Sequence, residues 1–178
     1  MGIIDNLKLD NDGVAKAIDK KMAQLLEQGS ADTARLEREA ENMPEDATAW
    51  FDLGVSLITD AGTVDYLMDQ KRLLEATEEE TVRESGTEAK TPLYEKALAC
   101  FAKAMEIDPE YYGIQYQKGI VYANMQAHAE AEQCFLQALR EDEEDFMAAQ
   151  ALSALYGDMG DAERSAHYAE MAARMASE

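Results

Sequence analysis

The segments ALACFAKAMEIDP (97–109) and AEQCFLQALREDE (131–143) carry Cys-Phe-x-x-Ala in the same register, thirty-four residues apart. The spacing persists beyond them: Ala97, Ala131 and Ser165 form one series, Phe101, Phe135 and Ala169 a second, and Ala104, Ala138 and Ala172 a third. A fixed period of this length marks a chain of stacked supersecondary units, none of which buries its apolar stripe alone. Ahead of each segment lies another helical stretch, at Trp50–Gly54, Tyr116–Tyr122 and Leu152–Tyr156. Gly119 and Ser153, like Tyr122 and Tyr156, again differ by thirty-four. Each unit is therefore two helices, A then B. Gly54, Gly119 and Ser153 on A, with Ala97, Ala131 and Ser165 on B, allow close approach. Phe101, Phe135, Tyr122 and Tyr156 are expected to fill the gaps between successive pairs.

With Trp50, Leu53 and Gly54 followed by Ala97, Phe101, Ala104 and Pro109, the first clear unit resembles the tetratricopeptide repeat family. Leu57 stands where the family has Tyr, Gln115 and Glu143 replace Trp and Pro in the second unit, and the third keeps Tyr156, Gly160-Asp161 and Ala172. The resemblance implies an all-α fold, a right-handed superhelical array of antiparallel helix pairs. The units read as 47–111, 112–145 and 146–178, the first being 31 residues longer than the period through an insertion within about 58–93.

Upstream, Val14, Ile18, Met22, Leu25 and Leu26 form a helical stripe that stops at Gly29, and Ser30 caps a second helix running to Met43-Pro44. Residues 13–46 are expected to be a degenerate capping pair, and 1–12 a flexible arm. Asp10, Asp12 and Gly13 faintly match a calcium loop, but Lys8 and Asp19 occupy the outer ligand places, so this stretch reads as a helix cap. In the insertion, Val64, Leu67, Met68 and Leu74 have helical spacing, so helix A extends or another helix follows Gly62, and Thr91-Pro92 opens helix B. The apolar half of the insertion needs a covering surface, and leaning over the mouth of the array and a solvated excursion are both open.

The resemblance places a binding surface on the A helices. Its inward candidates are Phe51, Val55 and Ile58, then Tyr116, Gln117, Ile120 and Asn124, then Met147, Gln150, Ala154 and Asp158. Apolar groups flanked by amides and carboxylates suit an extended peptide or an amphipathic helix. Family members that hold the C-terminal carboxylates of heat-shock chaperones use Lys, Asn and Arg where this chain has Phe51, Val55, Gln117, Met147 and Ala151, so that clamp is not expected.

The net charge of −21, from 37 acidic and 16 basic residues, disfavours nucleic acid and anionic membranes and favours a basic or amphipathic protein or peptide partner. No apolar run is long enough for membrane insertion, and the start has no export-signal core. Cys100 and Cys134 read as small packing residues of a reduced, cytoplasmic chain. His128 and His167 read as surface helix residues without metal-ligand spacing. No phosphate loop or nucleophile elbow is present. The expectation is a non-enzymatic adaptor or chaperone-like assembly factor without metal or cofactor. The alternative is a scaffold that self-associates, as a homodimer through residues 161–176, because Ala162, Ala166, Ala169, Ala172 and Ala173 have no following helix to cover them.

Overall fold

The computed structural model describes residues 11–75 and 87–177, which form eight helices: α1 (Asn11–Gln28), α2 (Ala31–Asn42), α3 (Ala47–Glu75), α4 (Thr87–Ile107), α5 (Ile114–Asn124), α6 (His128–Glu141), α7 (Phe146–Asp158) and α8 (Ala162–Met175). No strand occurs among the described residues. The pairs α3/α4, α5/α6 and α7/α8 pack most extensively, and α4 on α5 and α6 on α7 join them. This is the all-α repeat array that the period requires.

Glycine and phenylalanine meet within each of the first two of these pairs. Phe101 and Phe135 are fully buried. A Cβ on Gly54 would lie 2.5 Å from Cε1 of Phe101, and one on Gly119 2.5 Å from Cδ1 of Phe135. The rings therefore fill the crossing inside a hairpin, which the sequence had not suggested, and they also join cores shared with the next hairpin, Phe101 with Ile114 and Val121 and Phe135 with Leu152, Leu155 and Tyr156. In the third pair Ala169 stands at the ring position, which leaves room for side chains at the crossing. There the Ser153 hydroxyl donates to the Ser165 carbonyl and the Ser165 hydroxyl to the Ser153 carbonyl, each at 2.9 Å. Two hydrogen bonds join the helices where a ring joins the earlier ones.

Local signals end the helices as expected. Gly29 adopts φ +69 and donates to the Leu25 carbonyl, while the Ser30 hydroxyl accepts from the Thr33 amide of α2. Asp145 and Asp161 cap α7 and α8 in the same way. Gly160, with φ +76, makes the α7–α8 turn, and the residue thirty-four places earlier, Gln126, is held at φ 60. Left-handed backbone costs a residue with a Cβ about 1–2 kcal/mol, offset in glycine by its greater loss of freedom on folding. Gln126→Gly is therefore expected to stabilise the protein by up to about 1 kcal/mol, read as a higher urea midpoint at unchanged slope.

The N-terminal third departs from expectation. Asp12 and Gly13 lie inside α1, so the stretch read as a cap is helix; the proposed arm falls largely on residues 1–10, outside the described residues. α1 and α2 each pack on α3 but not as a hairpin with one another. The insertion lengthens both helices of its pair. α3 continues unbroken through Gly62 to Glu75, 29 residues or about 43 Å. α4 starts at Thr87, so Pro92 lies inside the helix and does not open it.

The apolar half of the insertion packs on α1. Ala61 and Val64 are fully buried, and Leu67 and Met68 join the same core as Met22 and Leu26. Lys71 Nζ lies 2.7 Å from Asp19 Oδ1 across the two helices. α1 is thus the covering surface that this segment required.

Candidate protein-binding site

The A helices α3, α5 and α7 are neighbours in that order. On α3, Phe51, Val55 and Ile58 are half-buried and pack against the first core cluster. Phe51 lies 5.9 Å from Phe101 and 5.1 Å from Tyr111, ring centre to ring centre. On α5, Tyr116 repeats this arrangement with its ring 5.9 Å from Phe135, and Gln117 and Ile120 are half-buried beside it. Asn124 is exposed and donates its Nδ2 to the Ile120 carbonyl at 2.8 Å. On α7, Met147, Gln150, Ala154 and Asp158 are exposed. The aromatic members of this set thus serve packing as well as presenting an edge, whereas the α7 members have little structural work. Burial, and then the negative charge of Asp145, hold the Tyr116 phenol above its ordinary range, so the ring stays neutral.

Sequence reasoning missed a cavity on another face of α3. It has a volume of about 350 Å3 and lies where α2 and α4 both pack on α3 without packing on one another. Trp50, Leu53, Leu57, Leu93 and Cys100 give it an apolar lining, with Glu37 and Glu41 of α2 on one bank and Lys96 and Lys103 of α4 on the other. Lys103 Nζ stands 3.9 Å above the Trp50 ring, and the Trp50 indole N–H donates to the Pro44 carbonyl at 3.0 Å. Burial pushes the Cys100 thiol up to about 11, so it is a protonated lining group at neutral pH and a poor nucleophile. Cys100 and Cys134 are both buried free thiols, in agreement with a packing role.

A second unforeseen feature adjoins the cavity. Asp60 is 3% exposed, and its Oδ2 accepts from the Ser30 amide at 2.8 Å and from the Thr33 hydroxyl at 2.7 Å. The Ser56 hydroxyl lies 2.7 Å from that of Thr33. The carboxylate sits at the N-terminus of α2, where unpaired amides and the helix dipole favour negative charge. Ser30 and Thr33 carry a local capping signal, but the partner thirty residues away has none.

His128, expected on the surface, is half-buried at the start of α6 with its Nδ1 buried and without a hydrogen-bond partner. His167 is exposed, its ring edge-on to Tyr168. No cluster of His, Cys, Asp and Glu suited to a metal occurs among the described residues, and no described helix is long and apolar enough to cross a membrane.

A family model described as tetratricopeptide repeat matches residues 112–145, the α5/α6 hairpin. Among solved structures, TTC0263, a thermophilic TPR protein in Thermus thermophilus, is similar with a TM-score of 0.59 and 17% identity, over 95% of this chain and 81% of that one. A crystal structure of MamA gives a TM-score of 0.45 at 16% identity, over 94% of this chain and 90% of that one. MamA 41-end from Desulfovibrio magneticus RS-1 gives 0.44 at 18% identity, over 91% and 94%. Comparison with curated proteins gives no match. Residues 112–145 thus match a tetratricopeptide repeat, hairpins packed in the same way lie before and after them, and the chain has the fold of a solved tetratricopeptide-repeat protein.

Proposed function

We propose that this protein is a non-enzymatic adaptor or chaperone-like assembly factor that holds a protein or peptide segment along α3, α5 and α7. What supports the reading is the row of three neighbouring A helices whose candidate residues keep partial exposure at Phe51, Val55, Ile58, Tyr116, Gln117 and Ile120 and full exposure at Asn124, Met147, Gln150 and Ala154. Apolar edges interleaved with amides provide burial and orientation for an extended or helical ligand. With a net charge of −21, the segment is basic or amphipathic, and the setting is the cytoplasm, where both thiols stay reduced.

The test uses surface positions, because Phe51 and Tyr116 also pack against core rings. Asn124→Arg with Met147→Arg is expected to keep the melting curve of the wild type, since exposed substitutions change stability by within about 0.5 kcal/mol. The same variant is expected to lose the partner that the wild-type protein retains in affinity purification from its native source. Undiminished retention of that partner overturns the reading.

A scaffold reading draws on α8, where Ala162, Ala166, Ala169 and Ala173 are exposed and only Ala172 is buried. Light scattering over a concentration series decides it: self-association abolished by Ala169→Arg supports a dimer through 161–176, and a strict monomer removes it.

A further inference from the structure

The cavity above α3 has a chemistry of its own. Its volume of about 350 Å3 falls at the low end of the range of roughly 300–1,000 Å3 typical of ligand pockets. Leu53, Leu57 and Leu93 are almost fully buried and give the cavity an apolar floor. Among the described residues neither bank is neutralised internally: Glu37, Glu41, Lys96 and Lys103 form no ion pair. Lys96 and Lys103 are two turns apart on α4, about 10 Å along the axis, and Glu37 and Glu41 are one turn apart on α2.

The repeat register leaves a smaller side chain beside the opening. The amides of Met43, Asp108 and Asp142 donate to the carbonyls of Glu39, Ala104 and Ala138 at the ends of α2, α4 and α6, which places Leu36 of α2 where Phe101 and Phe135 stand. Where later B helices carry a core phenylalanine, α2 carries the half-buried Leu36, and its exposed neighbour Glu37 lines the cavity.

We propose that this trough docks an amphipathic helix of a partner protein, which inserts a bulky apolar side chain onto Leu53, Leu57 and Leu93 and carries charges of both signs on its flanks. An acidic flank pairs with Lys96 and Lys103, and a basic flank with Glu37 and Glu41. A uniformly charged ligand meets one repelling bank, which is why a helix with two unlike flanks fits best. Trp50, Leu53 and Leu57 lie roughly 130° around α3 from Phe51, Val55 and Ile58, at about 100° per residue. The site is therefore separate from the A-helix row, and it stands or falls independently of the function proposed above.

Trp50 is the only tryptophan and lines the cavity, so its emission reports occupancy. The probe is a designed amphipathic peptide of about four turns with Leu and Phe anchors, Glu along one flank and Lys along the other; the control has the same anchors and Glu on both flanks. The mixed peptide is expected to shift Trp50 emission saturably and to bind roughly tenfold more tightly than the control. Lys96→Glu is expected to remove that preference. Glu37→Phe, which fills the cavity, is expected to abolish the shift while raising the melting temperature, and Asn124→Arg with Met147→Arg leaves binding unchanged. Equal affinity for both peptides, no shift with either, or full binding by Glu37→Phe overturns the proposal. So does binding of the apolar dye 8-anilinonaphthalene-1-sulfonate without binding of the mixed peptide, which marks a small-molecule pocket.

Discussion

Phe135→Ala is expected to lower the unfolding free energy by about 3–5 kcal/mol, the cost of emptying a fully packed aromatic site. The ring is 1% exposed and rests on Gly119, so no water or neighbouring side chain is positioned to take its place. The reverse error at the same contact is also costly. Gly119→Ala gains about 1 kcal/mol of helix propensity, yet it sets a methyl group within 2.5 Å of the Phe135 ring, and overpacking of this kind costs about 1–3 kcal/mol. The diagnostic measurement is a double-mutant cycle by urea unfolding. Gly119→Ala combined with Phe135→Leu is expected to be less destabilised than the sum of the single variants, because the shorter side chain yields the space that the new methyl occupies. Strict additivity means that the two helices do not meet through this pair.

The second large effect is expected at Asp60. Asp60→Ala leaves the Ser30 amide without its acceptor while the Thr33 hydroxyl keeps the Ser56 hydroxyl 2.7 Å away, so a loss of about 1–3 kcal/mol follows, the cost of an unsatisfied buried donor. Asp60→Asn retains an acceptor oxygen and costs less. The damage is local before it is global. Because α1 and α2 do not brace one another, the α1–α2 turn is held to α3 largely through this carboxylate. Amide exchange at Ser30 is therefore expected to accelerate more than exchange in α5–α8. Gly29 and Thr33 border the cavity, so the single tryptophan reports the same loosening through its emission. A variant that melts like the wild type and keeps Ser30 protected rules out this anchoring role.

Legibility followed the range of the contact. Gly54, Phe101, Gly119 and Phe135 were readable as packing positions because they recur, and recurrence separates a packing requirement from chance composition. That each glycine meets a phenylalanine was not readable: the period marks the positions that pack, and side-chain direction decides which of them touch. The candidate A-helix residues came from the family resemblance, which assigns a face but not a burden. The contacts of Phe51 with Phe101 and Tyr111 show that part of this face belongs to the core.

The sequence alone determined the class of the fold and its two-helix repeat, because each rests on signals confined to one period: small residues at crossings, a cap at Ser30, and glycines at Gly29 and Gly160. Only the tertiary structure decided that α1 and α2 part company on α3, that the insertion extends α3 and packs it on α1, that Asp60 anchors Ser30, and that a charged cavity opens beside Trp50. Those features join residues thirty or more apart that share no period, and a polar side chain on a helix bears no local sign of whether it faces water or a distant amide.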